Sequence, residues 1–217
     1  MKTLLTFLAL LLFVVPAQAA TSPYTLTWQR TKWNVFYRTG NLYQNWNPNR
    51  VEIDASTGRL LETAMYSSAG GVGNPAQYLY GHWVSRIRMS PALGSKYVML
   101  LINKPGGAEI DFAENRGKDL DPNRTELTAT IHFADGIKPI ALRNSVRVDM
   151  TKFHQVALWW SPGLITFRVD GRTWWEVATT RLDGISMHPT IQTNKYGPGP
   201  KSVLEVSYFR YTALSNQ

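Results

Sequence analysis

Residues 126–133 read ELTATIHF. Leu127, Ala129, Ile131 and Phe133 fall at alternate positions, with Thr128, Thr130 and His132 between them. A period of two puts the first set on one face of a β-strand and the second on the other. The strand has an apolar face for a core and a polar face carrying a titratable ring, as in an antiparallel sheet covered on one side only. The alternation recurs in HWVSRIRM, residues 82–89, where Trp83, Ser85, Ile87 and Met89 oppose Val84, Arg86 and Arg88. GLITFRVDGRTWWEV, residues 163–177, reads as a hairpin closed by Asp170-Gly171, a pair that accepts the positive φ angles of a two-residue turn. SVLEVSYFRYTA is a C-terminal strand, and SAGGVGNPA and KYGPGPK read as loops. Trp159-Trp160 and Trp174-Trp175 each straddle a strand, so one ring of each pair is expected in the core and the other outside. Short strands without repeats or linkers predict an all-β fold, a single antiparallel sandwich.

The chain opens with Lys2, an apolar run from Leu4 to Val15 and then PAQAA, in which Ala17-Gln18-Ala19 suits a signal-peptide cleavage site. That run is shorter than the ~20 residues of a spanning helix. The expectation is a leader over 1–19, a single domain over 20–217, and a secreted protein, extracellular or periplasmic, with no membrane span after cleavage. There is no cysteine, so export brings no disulfide and the core alone carries stability. The net charge of +8 comes from scattered Lys and Arg, without the basic run of a nucleic-acid tail. Eight Trp and ten Tyr suit stacking on sugar rings as well as a β core.

GGAEIDFAEN, residues 106–115, follows the apolar KYVMLLIN and holds three acids. Glu109 and Asp111 share a face at strand spacing, and Glu114 is out of step. Like charges on one face of a central strand are costly, and such a cost is commonly tied to catalysis, although acids also cluster on solvated edges. A Ca²⁺ site is disfavoured, because the stretch lacks the Asn, Gly and carbonyl ligands of a curled loop. Retaining glycoside hydrolysis needs two carboxyl groups about 5–5.5 Å apart, one as nucleophile and one as proton donor. A third between them can tune the pair. Glu114 joins the other two if an extra residue, a β-bulge near Phe112-Ala113, shifts the parity.

At these residues the chain resembles glycoside hydrolase family 16. EIDFAE resembles that family's bulged E-[IL]-D-x-x-E signature, of the laminarinase-like β-glucanases. YGHWVSRIRMS, FHQVALWWSPGLITFRVDG, LEVSYFRYT and NWNPNRVEIDASTGRLLE are similar to its other blocks, in the family's order and across nearly the whole mature chain. The resemblance implies a concanavalin A-like β-jelly roll with a concave substrate cleft. It implies Glu109 as nucleophile, Asp111 as assisting carboxylate and Glu114 as general acid/base. It places Arg86, His132, Asn194 and Tyr196 against the sugar. Where the family carries W-P-A-F-W this chain has KYVML, so Tyr97 stands for the first Trp as a binding platform and Leu101 removes the second. Ser85 stands where the family strand carries Glu.

The expected activity is endo-hydrolysis of a β-1,3 or mixed β-1,3/1,4 glucan by double displacement. Galactan hydrolysis and transglycosylation use the same acids, and a non-catalytic carbohydrate-binding protein on the same fold is the rival from another class. The expected partner is a polysaccharide, bound by a monomer, with no nucleic acid, no cofactor and no catalytic metal. Family members sometimes hold a structural Ca²⁺, for which this sequence shows no demanding ligand set.

Overall fold

The computed structural model describes residues 24–39, 45–65, 68–104, 106–115, 121–134, 140–196 and 199–214. The leader proposed for 1–19 lies outside them. Fifteen strands follow in order: β1 (Thr25–Trp28), β2 (Thr31–Val35), β3 (Val51–Ile53), β4 (Leu60–Ala64), β5 (Gly71–Gly73), β6 (Gly81–Met89), β7 (Ser95–Asn103), β8 (Ala108–Asn115), β9 (Glu126–Phe133), β10 (Ile140–Arg147), β11 (His154–Ser161), β12 (Leu164–Val169), β13 (Arg172–Ala178), β14 (His188–Lys195) and β15 (Ser202–Thr212). They form two antiparallel sheets. One runs β1-β2-β5-β14-β7-β8-β9-β10 and the other β13-β12-β11-β6-β15-β4-β3. This is the expected jelly-roll sandwich.

The alternating patterns explain the layering. Leu127, Ala129, Ile131 and Phe133 of β9 face Trp83, Ile87 and Met89 of β6 across one buried core. Each large apolar side chain removed from water contributes about 1.5–3 kcal/mol before chain entropy is counted. The β12–β13 hairpin turns at Asp170 and Gly171, whose φ angles of 47° and 78° suit the tight turn expected. Trp160 is buried and Trp159 is 39% exposed, as their parity requires. Trp174 and Trp175 depart from it. A register shift opposite Phe167-Arg168 leaves both rings half-buried, packed against Phe167. Part of the expected SAGGVGNPA loop is the short strand β5, whose glycines admit the Phe36 ring that a Cβ at Gly71 would meet at 2.6 Å.

Two devices fix β8, the strand of acids. At its start, Asn103 Oδ1 accepts from the Gly106 amide at 2.7 Å, and Gly107 takes φ 74°. At its end, the fully buried Arg124 donates to the carbonyls of Ser90, Ala92 and Ser95, to Ser95 Oγ and to Asn115 Oδ1. All five guanidinium donors are used, which lets a cation sit in the interior with no ion pair among the described residues.

Glu62 of β4 is the core's anomaly, with a fully buried carboxyl group and no well-formed hydrogen bond to either oxygen among the described residues. Burial pushes it well above the usual carboxylate range, against the opposing contact of the Val72 backbone. The folded protein keeps that proton after the unfolded chain has lost it near pH 4, so stability falls as pH rises from there toward the folded value. Glu62→Gln is expected to remove this dependence and to stabilise by about 1–3 kcal/mol at pH 8, with little gain at pH 4. Thermal melts at both pH values test it. An equal effect at both would overturn the assignment.

Candidate active site

The β-bulge expected in β8 is present. On the β9 side Asp111 pairs with Thr130 and Glu114 with Thr128, so three steps on β8 match two on β9. On the β7 side Ala113 pairs with Met99 and Asp111 with Leu100, which leaves Phe112 as the extra residue. Phe112 and Ala113 both enter the core. Glu114 thereby returns to the face of Glu109 and Asp111. Glu109 stands opposite His132, and the three acids share the outer face of the eight-stranded sheet.

Their environments differ. The side chain of Glu109 is 26% exposed and that of His132 30%, against 3% for Asp111. His132 Nε2 lies 3.4 Å from Asp111 Oδ2 and 4.0 Å from Glu109 Oε1. Burial first, and then the neighbouring Asp111 charge, pushes the Glu109 carboxyl up to about 8. Burial, and then the charge of Glu114, raises Asp111 to about 7. Glu109 and Asp111 therefore titrate as a pair that holds a proton near neutrality. Asp111 Oδ1 is buried with no hydrogen-bond partner among the described residues.

Glu114 is held on both sides. Thr130 Oγ1 donates to its Oε2 at 2.9 Å and accepts from Arg143 Nε of β10 at 3.1 Å. Oε1 makes an ion pair with Lys96 of β7. Burial alone would lower the Lys96 ammonium, but the charges of Glu114 and Asp111 outweigh it and raise it.

The other sequence-nominated residues divide. Asn194 of β14 stands in register with Lys96 at one margin of the site, and Tyr196 acts on the same ammonium. Arg86 does not belong here. It lies on β6 in the seven-stranded sheet, exposed on the outer face and 5.0 Å from the centre of the Phe153 ring. Tyr97 is no platform either. It is fully buried in the core, with the Arg124 guanidinium 4.7 Å from its ring centre. Leu101 is buried with it. On β7 the site-facing position is Lys96, one residue before Tyr97. Lys96 and Arg143 were missed. Counting alternation backward from the β7–β8 register would have found Lys96.

Glu109, Asp111 and His132 also offer three potential metal-ligand atoms within 4.8 Å of one another. An ion there would occupy the carboxyl oxygens that hydrolysis needs.

Comparison with known proteins fits this geometry. The family of glycosyl hydrolases known as family 16 matches residues 38–205. The chain belongs to glycosyl hydrolase family 16. Solved structures agree in fold. A β-glucanase of Bacillus licheniformis superposes with a TM-score of 0.69 at 19% identity, covering 83% of this chain and 91% of that one. A family 16 endo-glucanase from Bacteroides ovatus gives 0.70 at 14% identity, covering 83% and 94%. The laminarinase catalytic domain of Thermotoga maritima gives 0.68 at 13%, covering 80% and 84%. No curated protein matches the sequence itself. Family membership makes the chain a glycosidase, and its jelly roll is that of the family 16 β-glucanases.

Proposed function

We propose that this family 16 glycosidase is a secreted, retaining endo-hydrolase of a β-1,3 or mixed β-1,3/1,4 glucan. The observation that carries the proposal is the bulge at Phe112, which sets a third carboxyl group on the face of the first two. Glu109, the more solvated member of the proton-sharing pair, is the nucleophile. The shared proton passes to Asp111, the more buried one, as Glu109 attacks the anomeric carbon. Glu114, after taking a proton from solvent in exchange for its ion pair with Lys96, delivers it to the leaving oxygen. It then takes one from the water that attacks the same carbon and releases Glu109. Lys96 and Thr130 are placed to receive the Glu114 carboxylate left by the first transfer. The glucan class is supported by the family and by the β-glucanases that share the fold.

The test is exported enzyme, its N-terminus sequenced and expected at Ala20, incubated with laminarin and lichenan. Reducing ends should appear, with the β anomer formed first. An α anomer formed first would exclude double displacement. Cleavage of a galactan alone, or products that require an acceptor sugar, would move the activity to those branches of the family.

The shared proton sets the pH dependence. Below the neutral range both Glu109 and Asp111 are protonated and no nucleophile exists, so kcat/KM is expected to rise with pH as the first of the two protons leaves, near pH 7. Asp111→Asn removes the charge that raises Glu109 and should carry this limb to lower pH. A limb unmoved by the substitution would deny Asp111 its positioning role.

A further inference from the structure

The outer face of the seven-stranded sheet, on the far side of the molecule from the acids, carries a group of arginines set against aromatic rings. Its side chains come from alternate positions. Across one row Gln155 of β11, Arg86 of β6 and Tyr208 of β15 stand in register. Across the next, Ala157, Val84 and Arg210 do. Beside them Arg59, Arg86 and Arg88 converge on Phe153, at 4.7, 5.0 and 5.0 Å from its ring centre. Arg210 lies 4.8 Å from the centre of the Tyr208 ring, and Arg168 4.1 Å from that of Trp159. Each of these guanidinium groups lies within cation–π reach of a ring.

Three acids share this face by register: Glu205, bonded to Arg59 and Arg88, Glu52 of β3, and Glu176 of β13, which accepts from Thr166 Oγ1. Arg59, Arg86, Arg88, Arg168 and Arg210 outnumber them. Arg86 and Arg210 are exposed, with no acid in ion-pair contact among the described residues. A planar guanidinium, preorganised on a ring and short of a carboxylate, is a ready bidentate donor to an oxyanion. Arg86 and Arg210 stand in successive rows on the neighbouring strands β6 and β15, which lie about 4.8 Å apart.

We propose that this arginine–aromatic face binds an anionic polysaccharide, one carrying sulfate or carboxylate groups along its chain, independently of the hydrolytic site. Charge complementarity selects a polyanion. The aromatic rings are stacked by arginines, and Trp159 by His82 as well at 4.6 Å, so the face lacks the free rings that single-stranded nucleic acid stacks upon. A flat strand face also lacks the apolar side of a membrane-surface helix. The rigid sheet would then tether the enzyme to a charged matrix while the opposite face works on its glucan.

Immobilised dextran sulfate tests this, with neutral dextran, single-stranded RNA and anionic lipid vesicles as comparisons. The intact protein should be retained on dextran sulfate and released by salt. Arg86→Gln combined with Arg210→Gln should weaken retention at least about tenfold, leaving cleavage of a soluble neutral glucan unchanged. Unchanged retention in the double variant would overturn the proposal. So would RNA or vesicles binding as tightly as dextran sulfate with the same sensitivity to the substitutions. The readout is binding, so an inactive cleft would leave it interpretable.

Discussion

Glu109→Gln is expected to lower kcat on a β-glucan by ~10⁴-fold or more, the scale on which removal of a nucleophile is felt. The amide has nearly the shape of the carboxyl group and keeps a hydrogen-bonding partner for Asp111, so the folded structure should survive. What disappears is the bond from Glu109 to the anomeric carbon. Trimming further, to Glu109→Gly, opens space on the face from which that bond forms. Azide added to this variant should restore turnover and give the α-glycosyl azide, because one displacement inverts what two would retain. Residual activity within about tenfold of wild type would remove Glu109 from the mechanism. A β-azide would assign it the other role.

Glu114→Gln is expected to divide substrates by leaving group. A glucan leaves as an alkoxide unless protonated, so its cleavage should fall by about 10²–10⁴-fold, the usual worth of a positioned acid. An aryl glycoside with an acidic phenol needs little protonation and should still form the glycosyl-enzyme rapidly. Its turnover then stalls at hydrolysis, where the same residue serves as base, and azide should relieve the stall with retention. An equal loss on both substrates would mean that Glu114 is structural. Its two oxygens, held by Lys96 and Thr130, give that alternative a definite form.

Much of this was legible in the chain. Strict alternation in HWVSRIRM and ELTATIHF gave correct faces, because each strand turns one apolar side to the core and a polar side outward. The parity of EIDFAE gave the bulge. Two kinds of information were not in the pattern. Alternation says which residues share a face but not which sheet holds the strand. Arg86 and His132 are both outward on their own strands, yet they belong to opposite sides of the molecule. β7 is also apolar nearly throughout, being buried on both faces from Tyr97 to Leu101, so its sequence has no face signal. Only pairing with β8 shows that Lys96 meets the acids and Tyr97 the core. The double tryptophan of β13 failed for a related reason. A register shift cannot be counted from one strand alone.

The bulge has a consequence for how this strand can vary in length. Elsewhere in a sheet, losing one residue turns every following side chain over and puts acids into the core. Here Phe112 and Ala113 occupy the interior together. Removal of Ala113 would leave E-I-D-F-E, in which a regular pleat still presents all three acids on one side and one phenylalanine inward. The catalytic strand can therefore lose a residue at this point and keep its meaning.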